Sequence, residues 1–256
     1  MEEKNKRRNF QRIVICGLGG IGSIVCEAVA RFLNFSKLTE YPRVVLIDGD
    51  KFESKNHERQ SFIAEGMNKA ETKKGELKEK FQNVIFLAES VFVNKENVLN
   101  LVKEKDIVIL AVDNHKTRKI VSDYCSNLND IILISAGNEM TDGNLQIFIK
   151  ENGEKLTNSL TDFHPEIGDP QDKSPEEKSC QELQQSEPQL YFTNLMAASF
   201  ACSALYNIMN DNCPYSEVYF DISTMKADSK IRKVKEQKRS LKEAITDVIV
   251  EHSSAL

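Results

Sequence analysis

Short apolar runs alternate with helical patterns through the first half of the chain. The apolar runs cover Arg12–Cys16, Arg43–Ile47 and residues 83–87, 106–112 and 131–135. The helical patterns between them cover residues 21–32, 68–80, 95–102 and 117–127. Apolar strands that alternate with helices are typical of a mostly parallel sheet with both faces covered. The pattern therefore predicts an α/β fold of the doubly wound, Rossmann-like kind.

The pattern of apolar and polar residues changes after Gly143. Residues 144–150 and 217–222 have the pattern of antiparallel strands, and residues 191–209 form an apolar helical pattern. Between them lies a long polar stretch, about residues 152–188, which is typical of a functional crossover loop or a disordered segment. We expect a domain over residues 1–225 that includes this loop, antiparallel strands on its C-terminal side, and a charged helical tail over residues 226–256.

Composition limits the possible partners and compartments. The chain has 256 residues, 29% of them charged, and its net charge of −5 gives no reason to expect a nucleic-acid partner. No apolar run reaches the roughly 18 residues that span a bilayer, and the charged first residues do not resemble a signal peptide. The six cysteines are scattered without a C-x-x-C pair. We expect a cytoplasmic protein without membrane partners or structural zinc.

A glycine-rich loop follows the first predicted strand and precedes the first predicted helix. It contains Gly17, Gly19, Gly20 and Gly22. In this context the first glycine allows a tight turn, the second lets the backbone approach a phosphate, and the last lets helix and strand pack closely. The helix N-terminus offers free N–H groups to an anion. The loop predicts nucleotide binding, and a purely structural turn is the alternative.

Acidic residues follow the second predicted strand. Asp48 comes directly after the strand, where a carboxylate can bind both ribose hydroxyls of either NAD or ATP. Asp50 lies two residues later. It is a second candidate for the nucleotide site, and capping of the next loop is its alternative role.

The polar residues that follow distinguish nucleotidyl transfer from hydride transfer. Arg59 can fork onto phosphate oxygens, and Lys69, at the start of a helix, can follow charge on the leaving pyrophosphate. Asn56 and Gln60 flank Arg59 in the same polar loop. Asp113, at the end of the fourth strand, can hold Mg²⁺ between phosphates. Surface salt bridges for the two cations and a helix N-cap for Asp113 are the structural alternatives.

Taken together, these motifs resemble the ThiF/MoeB/E1-like superfamily, whose members activate ubiquitin-like proteins by adenylating their C-terminal glycine. The resemblance rests on Asp48 to Gln60, on Gly66-Met-Asn-Lys69-Ala-Glu and on Asp113-Asn-His-Lys-Thr-Arg118. It adds Asn114 and Arg118 to the nucleotide-binding candidates. The short interval from Arg59 to Lys69 and the missing C-x-x-C motifs point to a divergent bacterial ThiF-family member.

The resemblance implies a homodimeric adenylyltransferase that uses ATP and Mg²⁺. Its substrate would be the terminal carboxylate of a small ubiquitin-like or sulfur-carrier protein, or of a peptide. Arg7, Arg8 or Arg12 would reach the γ-phosphate in the neighbouring subunit. Cys180, in the polar stretch, is a candidate catalytic thiol because some members use a crossover-loop cysteine as the acyl acceptor. Two alternatives stay open: a non-catalytic nucleotide-binding scaffold of the same fold, and an NAD-dependent oxidoreductase.

Overall fold

The computed structural model describes residues 10–36, 41–173 and 190–231, which form a nine-stranded sheet with helices packed on both faces. The strands are β1 (Arg12–Cys16), β2 (Arg43–Ile47), β3 (Ile85–Glu89), β4 (Asp106–Leu110), β5 (Ile131–Asn138), β6 (Asp142–Glu151), β7 (Glu154–Lys155), β8 (Glu217–Asp221) and β9 (Lys226–Lys230). The α-helices are α1 (Gly20–Phe35), α2 (Lys69–Lys80), α3 (Val98–Leu101), α4 (His115–Asn127), α5 (Leu160–Phe163), α6 (Pro165–Gly168) and α7 (Tyr191–Met209). A 3-10 helix covers Ser54–Glu58.

The sheet has the strand order β3-β2-β1-β4-β5-β6-β8-β9, and β7 pairs with β6. Strands β1 to β5 run parallel, whereas the pairs β5–β6, β6–β8 and β8–β9 are antiparallel. The predicted fold class is confirmed. The strand order reverses at β1, which lies between β2 and β4. In open α/β sheets such a switch point is where ligands bind, at the carboxyl ends of the strands.

The two faces of the parallel strands build two core layers. Ile13 and Ile15 of β1 pack in the layer beneath α1, α2 and α7. Val14 and Cys16 point to the opposite layer, beneath α3 and α4. Because side chains alternate along a strand, burial of all four makes the run apolar throughout rather than alternating. This is why the strand pattern of the sequence predicts the sheet correctly.

Two expectations for the C-terminal half need correction. The helix predicted from residue 226 is wrong at its start, because Lys226–Lys230 forms the exposed edge strand β9, paired to β8 by main-chain hydrogen bonds. Its charged side chains resemble a helical tail, but an edge strand tolerates them equally well. Residues 232–256 lie outside the described ranges.

The predicted crossover stretch is also more regular than expected at its beginning. It contains β7, α5 and α6 before the described part stops at residue 173. The rest of the stretch, with Cys180, lies outside the described residues. In the part of the chain that the structure describes, no helix is long and apolar enough to cross a membrane.

Candidate adenylylation site

The glycine loop lies between the carboxyl ends of β2 and β4. Gly17 has a φ of +88°, and a Cβ there would lie 2.8 Å from the carbonyl oxygen of Ala111. A Cβ on Gly22 would lie 1.8 Å from the carbonyl oxygen of Gly17. A Cβ on Gly19 would meet nothing within 4 Å. The loop is therefore packed tightly on its protein side and open at Gly19, where a phosphate could approach the backbone.

Asp48 is fixed against this loop by two backbone hydrogen bonds. Its Oδ2 accepts the N–H of Leu18 at 2.6 Å, and its Oδ1 accepts the N–H of Asp50 at 2.8 Å. Burial raises the pKa of Asp48, and the positive charge of Lys69 opposes that rise. The carboxylate is thus held in one orientation beside the glycine loop, as a ribose-binding residue requires.

Lys69 is joined by an ion pair to the turn after β2, which also carries Asp48. Its Nζ lies 2.9 Å from Oδ2 of Asp50, and its side chain is only 8% exposed. Asn68, which precedes it, donates from Nδ2 to the carbonyl oxygens of Asp48 and Asp50. The Oδ1 of Asn68 caps α2 by accepting the N–H groups of Ala70 and Glu71. Sequence reasoning does not find Asn68, although an Asn before a helix start is an N-cap signal.

The loop around Arg59 carries buried polar atoms without partners. Asn56 uses its Oδ1 to accept the N–H of Glu53 at 2.9 Å, which fixes the 3-10 helix. The N–H of Gln60 donates to the carbonyl oxygen of Asn56 at 2.8 Å. Arg59 Nε and Gln60 Oε1 are buried and have no hydrogen-bond partner among the described residues. Such atoms are rare in folded proteins, and a polar ligand bound at this loop could satisfy them.

Lys73 brings this loop against α2. It lies one helical turn after Lys69 and donates from Nζ to the carbonyl oxygen of Ser61, two residues after Arg59. Glu76 pairs with the same Nζ at 2.7 Å. The rings of Phe52 and Phe62 stack with their centroids 4.1 Å apart, which holds the two ends of the loop together. The loop that carries Arg59 therefore lies beside the first turns of the helix that carries Lys69. Sequence reasoning does not find Lys73 either.

Asp113 is exposed just after β4, beyond Ala111 and Val112, which lie against Gly17 of the glycine loop. No described residue donates a hydrogen bond to its carboxylate. The N-cap of α4 is Asn114, whose Oδ1 accepts the N–H of Thr117 at 2.8 Å. Asp113 thus remains available to a cation, and an exposed carboxylate is the kind of ligand that Mg²⁺ takes together with phosphates.

Comparisons with known proteins give the family of the chain. The model of the ThiF family matches residues 1–243. The chain belongs to the ThiF family. It is 31% identical over 144 residues to "Adenylyltransferase and sulfurtransferase MOCS3" of Drosophila ananassae, a match that covers 55% of the chain and 30% of that relative. The corresponding protein of Xenopus laevis is 31% identical over 139 residues, covering 53% and 29%. The chain thus spans less than a third of these relatives.

Solved structures of low sequence identity share the fold. E. coli MccB with ATP superimposes with a TM-score of 0.67 at 20% identity, over 91% of this chain and 67% of that chain. PaaA superimposes with a TM-score of 0.67 at 15% identity, over 90% and 66%. At these identities the neighbours establish the ThiF-type fold and leave the chemistry to be argued from the site.

Arg118, predicted as a nucleotide-binding residue, has a structural role in this ThiF-family chain. Its guanidinium is buried and donates to the carbonyl oxygens of Val112 and Ala136 and to the hydroxyl of Ser135. Burial lowers the pKa of Arg118 to about 10, against the opposing charge of Asp113. The side chain joins the carboxyl ends of β4 and β5. The DNxxxR motif does not reveal this, because two of the three acceptors come from β5, later in the chain.

Asn114 caps the helix that follows β4, and its contact with the nucleotide stays a prediction from the sequence. Its side-chain oxygen is used by the N-cap of α4, and the residue is 2% exposed. Its contribution is to orient the turn that follows β4, which carries Asp113.

Arg12 lies at the opposite edge of the sheet from the nucleotide site. It begins β1 and binds Asp106 at the start of β4, with Nη2 to Oδ2 at 2.6 Å. Because the amino ends of parallel strands share one edge, this ion pair is remote from the glycine loop of its own subunit. Within its own subunit Arg12 is thus an ion-pair partner of Asp106. A contact of Arg7, Arg8 or Arg12 with the γ-phosphate in a neighbouring subunit stays a prediction from the sequence, and Arg7 and Arg8 lie outside the described residues.

Three of the cysteines that the structure describes are poor nucleophiles. Burial raises the pKa of Cys16 and of Cys26 to about 12, and that of Cys202 to about 11. Thiols with these pKa values are nearly all protonated at neutral pH. Because the thiolate is the reactive form, they react slowly. Cys180 lies outside the described residues and stays a prediction from the sequence.

Proposed function

We propose that this chain is a cytoplasmic, Mg²⁺-dependent adenylyltransferase that activates a carboxylate with ATP. The observation that carries the proposal is the set of cations placed after the ribose carboxylate. Arg59, with its unpaired buried Nε, and Lys69, buried beside Asp50, lie on two segments that Lys73 holds together. Hydride transfer requires no such pair next to the phosphates, whereas departure of pyrophosphate does.

The roles of the residues follow from their positions. The glycine loop and Asp48 hold ATP, which is a substrate, by its phosphates and ribose. Arg59 and Lys69 stabilise the negative charge that grows on the leaving pyrophosphate. Asp113 would hold Mg²⁺, which neutralises phosphate charge when bound. A carboxylate oxygen of the second substrate forms a bond to the α-phosphorus while the bond from that phosphorus to the bridging oxygen breaks. The products are an acyl-adenylate and pyrophosphate, and no proton is transferred.

The carboxylate of this proposal belongs to a small ubiquitin-like or sulfur-carrier protein that ends in glycine. The family and the adenylyltransferase name of the MOCS3 relatives support this class. Cys180 is the candidate acceptor of the activated acyl group. A Cys180→Ser variant should keep carboxylate-dependent exchange of pyrophosphate into ATP and lose a thioester adduct with the carrier, which hydroxylamine would cleave. Loss of exchange as well would place Cys180 in the adenylylation step instead.

A homodimer is part of the proposal. Phe192, Leu195 and Met225 are 65%, 39% and 79% exposed on neighbouring surfaces of α7 and the β8–β9 turn. Clustered apolar side chains of this size are typical of a contact surface. Light scattering should give the mass of two chains, and Phe192→Asp should shift it toward one. A wild-type protein that stays a single chain at micromolar concentration would exclude the dimer.

The test of the proposed reaction is exchange of labelled pyrophosphate into ATP in the presence of candidate carriers that end in glycine. Exchange that requires both the carrier and its terminal carboxylate supports the proposal, and an amidated carrier is the matched control. No exchange with any such carrier, together with binding of NAD⁺ in place of ATP, would favour an oxidoreductase.

A further inference from the structure

Helix α7 begins its buried stripe with two polar residues, Thr193 and Asn194, where apolar ones are expected. Ala197, Ala198, Ala201 and Ala204 are buried, and they let α7 approach α1 closely. Asn194 lies one turn before Ala197 and Ala198, so it belongs to the same face of the helix. The sequence signal for it is therefore an Asn that interrupts an apolar stripe.

The side chain of Asn194 is buried without hydrogen-bond partners. It is 0% exposed, and neither its Oδ1 nor its Nδ2 bonds to any residue in the described ranges. Thr193, its neighbour, is equally buried but donates its hydroxyl to the carbonyl oxygen of Met140 at 2.6 Å. A buried amide that is left unpaired lowers the stability of the fold. Thr193 behaves as a structural polar residue, and Asn194 does not.

The carboxamide of Asn194 faces the start of α1. A Cβ placed on Gly20 would lie 2.3 Å from Asn194 Nδ2 and 2.8 Å from its Oδ1. Gly20 is the first residue of this 16-residue helix, and its N-cap, Gly19, supplies no side-chain hydrogen bond. The Nδ2 donor is the amide atom nearer to that Cβ position. The first residues of a helix are where free N–H groups and the helix dipole attract an anion.

We propose that Asn194 is a phosphate-binding residue of the nucleotide site, donating from Nδ2 to an oxygen of the ATP phosphates held at the start of α1. The inference rests on the proposed function, because it assigns a partner to the amide within the same site. It also explains why Gly20 must be glycine: any side chain there would displace the amide. The contact adds a neutral donor to the backbone N–H groups of the glycine loop.

The test compares the full-length protein with Asn194→Ala, Asn194→Asp and Thr193→Val, measuring Mg-ATP affinity by calorimetry and thermal unfolding of each. Asn194→Ala should weaken binding about tenfold, the effect of one hydrogen bond to a charged group. Its Tm should be unchanged or higher, since an unpaired buried amide is removed. Asn194→Asp should bind more weakly still, because a carboxylate would face the phosphates. Thr193→Val should lower Tm and keep the affinity within about twofold.

Two results separate failure of this inference from failure of the proposed function. If wild type binds Mg-ATP and folded Asn194→Ala binds it equally well, the assignment of Asn194 is overturned and the nucleotide site stands. If wild type binds no Mg-ATP, both are overturned. Should Asn194→Ala fail to fold, Asn194→Leu keeps the volume of the side chain and removes both polar atoms, and unchanged affinity in that variant overturns the assignment equally.

Discussion

Lys69 Nζ lies 2.9 Å from Asp50 Oδ2, so the buried cation of α2 is held by the turn that also carries the ribose carboxylate. An ammonium group has three donors, and one of them is used by Asp50. The other two donors remain for a phosphate in the proposed site. Asp50 therefore positions Lys69, which is a more specific role than the nucleotide contact or loop cap expected from the sequence.

The first prediction concerns this pair. Lys69→Ala should weaken Mg-ATP binding by about 10- to 100-fold, because a charge-assisted hydrogen bond to phosphate is lost. Asp50→Asn should weaken it by about three- to tenfold, and the double variant should resemble Lys69→Ala, since the two residues act as a unit. Lys74→Ala, which removes an exposed pair with Glu71 on the same helix, is the control. Additive effects of the two substitutions would show that Asp50 contacts the nucleotide independently.

The second prediction separates the two edges of the sheet. Arg12→Met should lower the free energy of unfolding by about 3 kcal/mol, because the fully buried carboxylate of Asp106 loses its partner. Mg-ATP affinity should not change. Arg31→Ala, which breaks an exposed pair with Glu27, should change stability by less than about 1 kcal/mol. Weaker ATP binding by Arg12→Met at unchanged stability would show that this arginine acts at a nucleotide site.

The third prediction follows from the raised pKa of Asp48, whose main cause is burial. Ribose binding requires the ionised carboxylate, so Mg-ATP affinity should fall on acidification at a pH higher than an ordinary aspartate would set. The stability of the unliganded protein should depend on pH in the opposite direction. Because the folded pKa exceeds the unfolded one, the stabilisation from Asp48 is present below the unfolded pKa and is lost as pH rises through the folded value.

The measurement for Asp48 is the Kd for Mg-ATP between about pH 8 and pH 4.5, for wild type and for Asp48→Asn. The variant should bind weakly at every pH and lose the acid-dependent part of the profile. A variant that keeps the wild-type pH profile would mean that another group controls it.

Much of the fold and part of the site could be predicted from the sequence because the signals are local. The apolar runs place β1 and β2 with the correct bounds, and the glycine loop follows from its own spacing. Contacts between distant segments could not be predicted. Arg118 is structural only because β5 supplies two of its three acceptors, and Lys73 matters only because the loop folds back to Ser61.

The structure at the start of the predicted helical tail also depends on a contact with another segment. Lys226–Lys230 has the charged, polar composition of an exposed helix. It is a strand because it pairs with β8. Local propensity is weak where all side chains are exposed, so the partner strand decides.

The most direct test of the account is calorimetric titration of the full chain with ATP, with and without Mg²⁺, and in parallel with NAD⁺. Wild type should bind ATP more tightly with Mg²⁺ than without it, and Asp113→Ala should remove that difference while its Tm stays unchanged. Lys69→Ala should weaken binding in both conditions. Binding of NAD⁺ in preference to ATP, or ATP binding that neither substitution changes, would contradict the adenylyltransferase assignment.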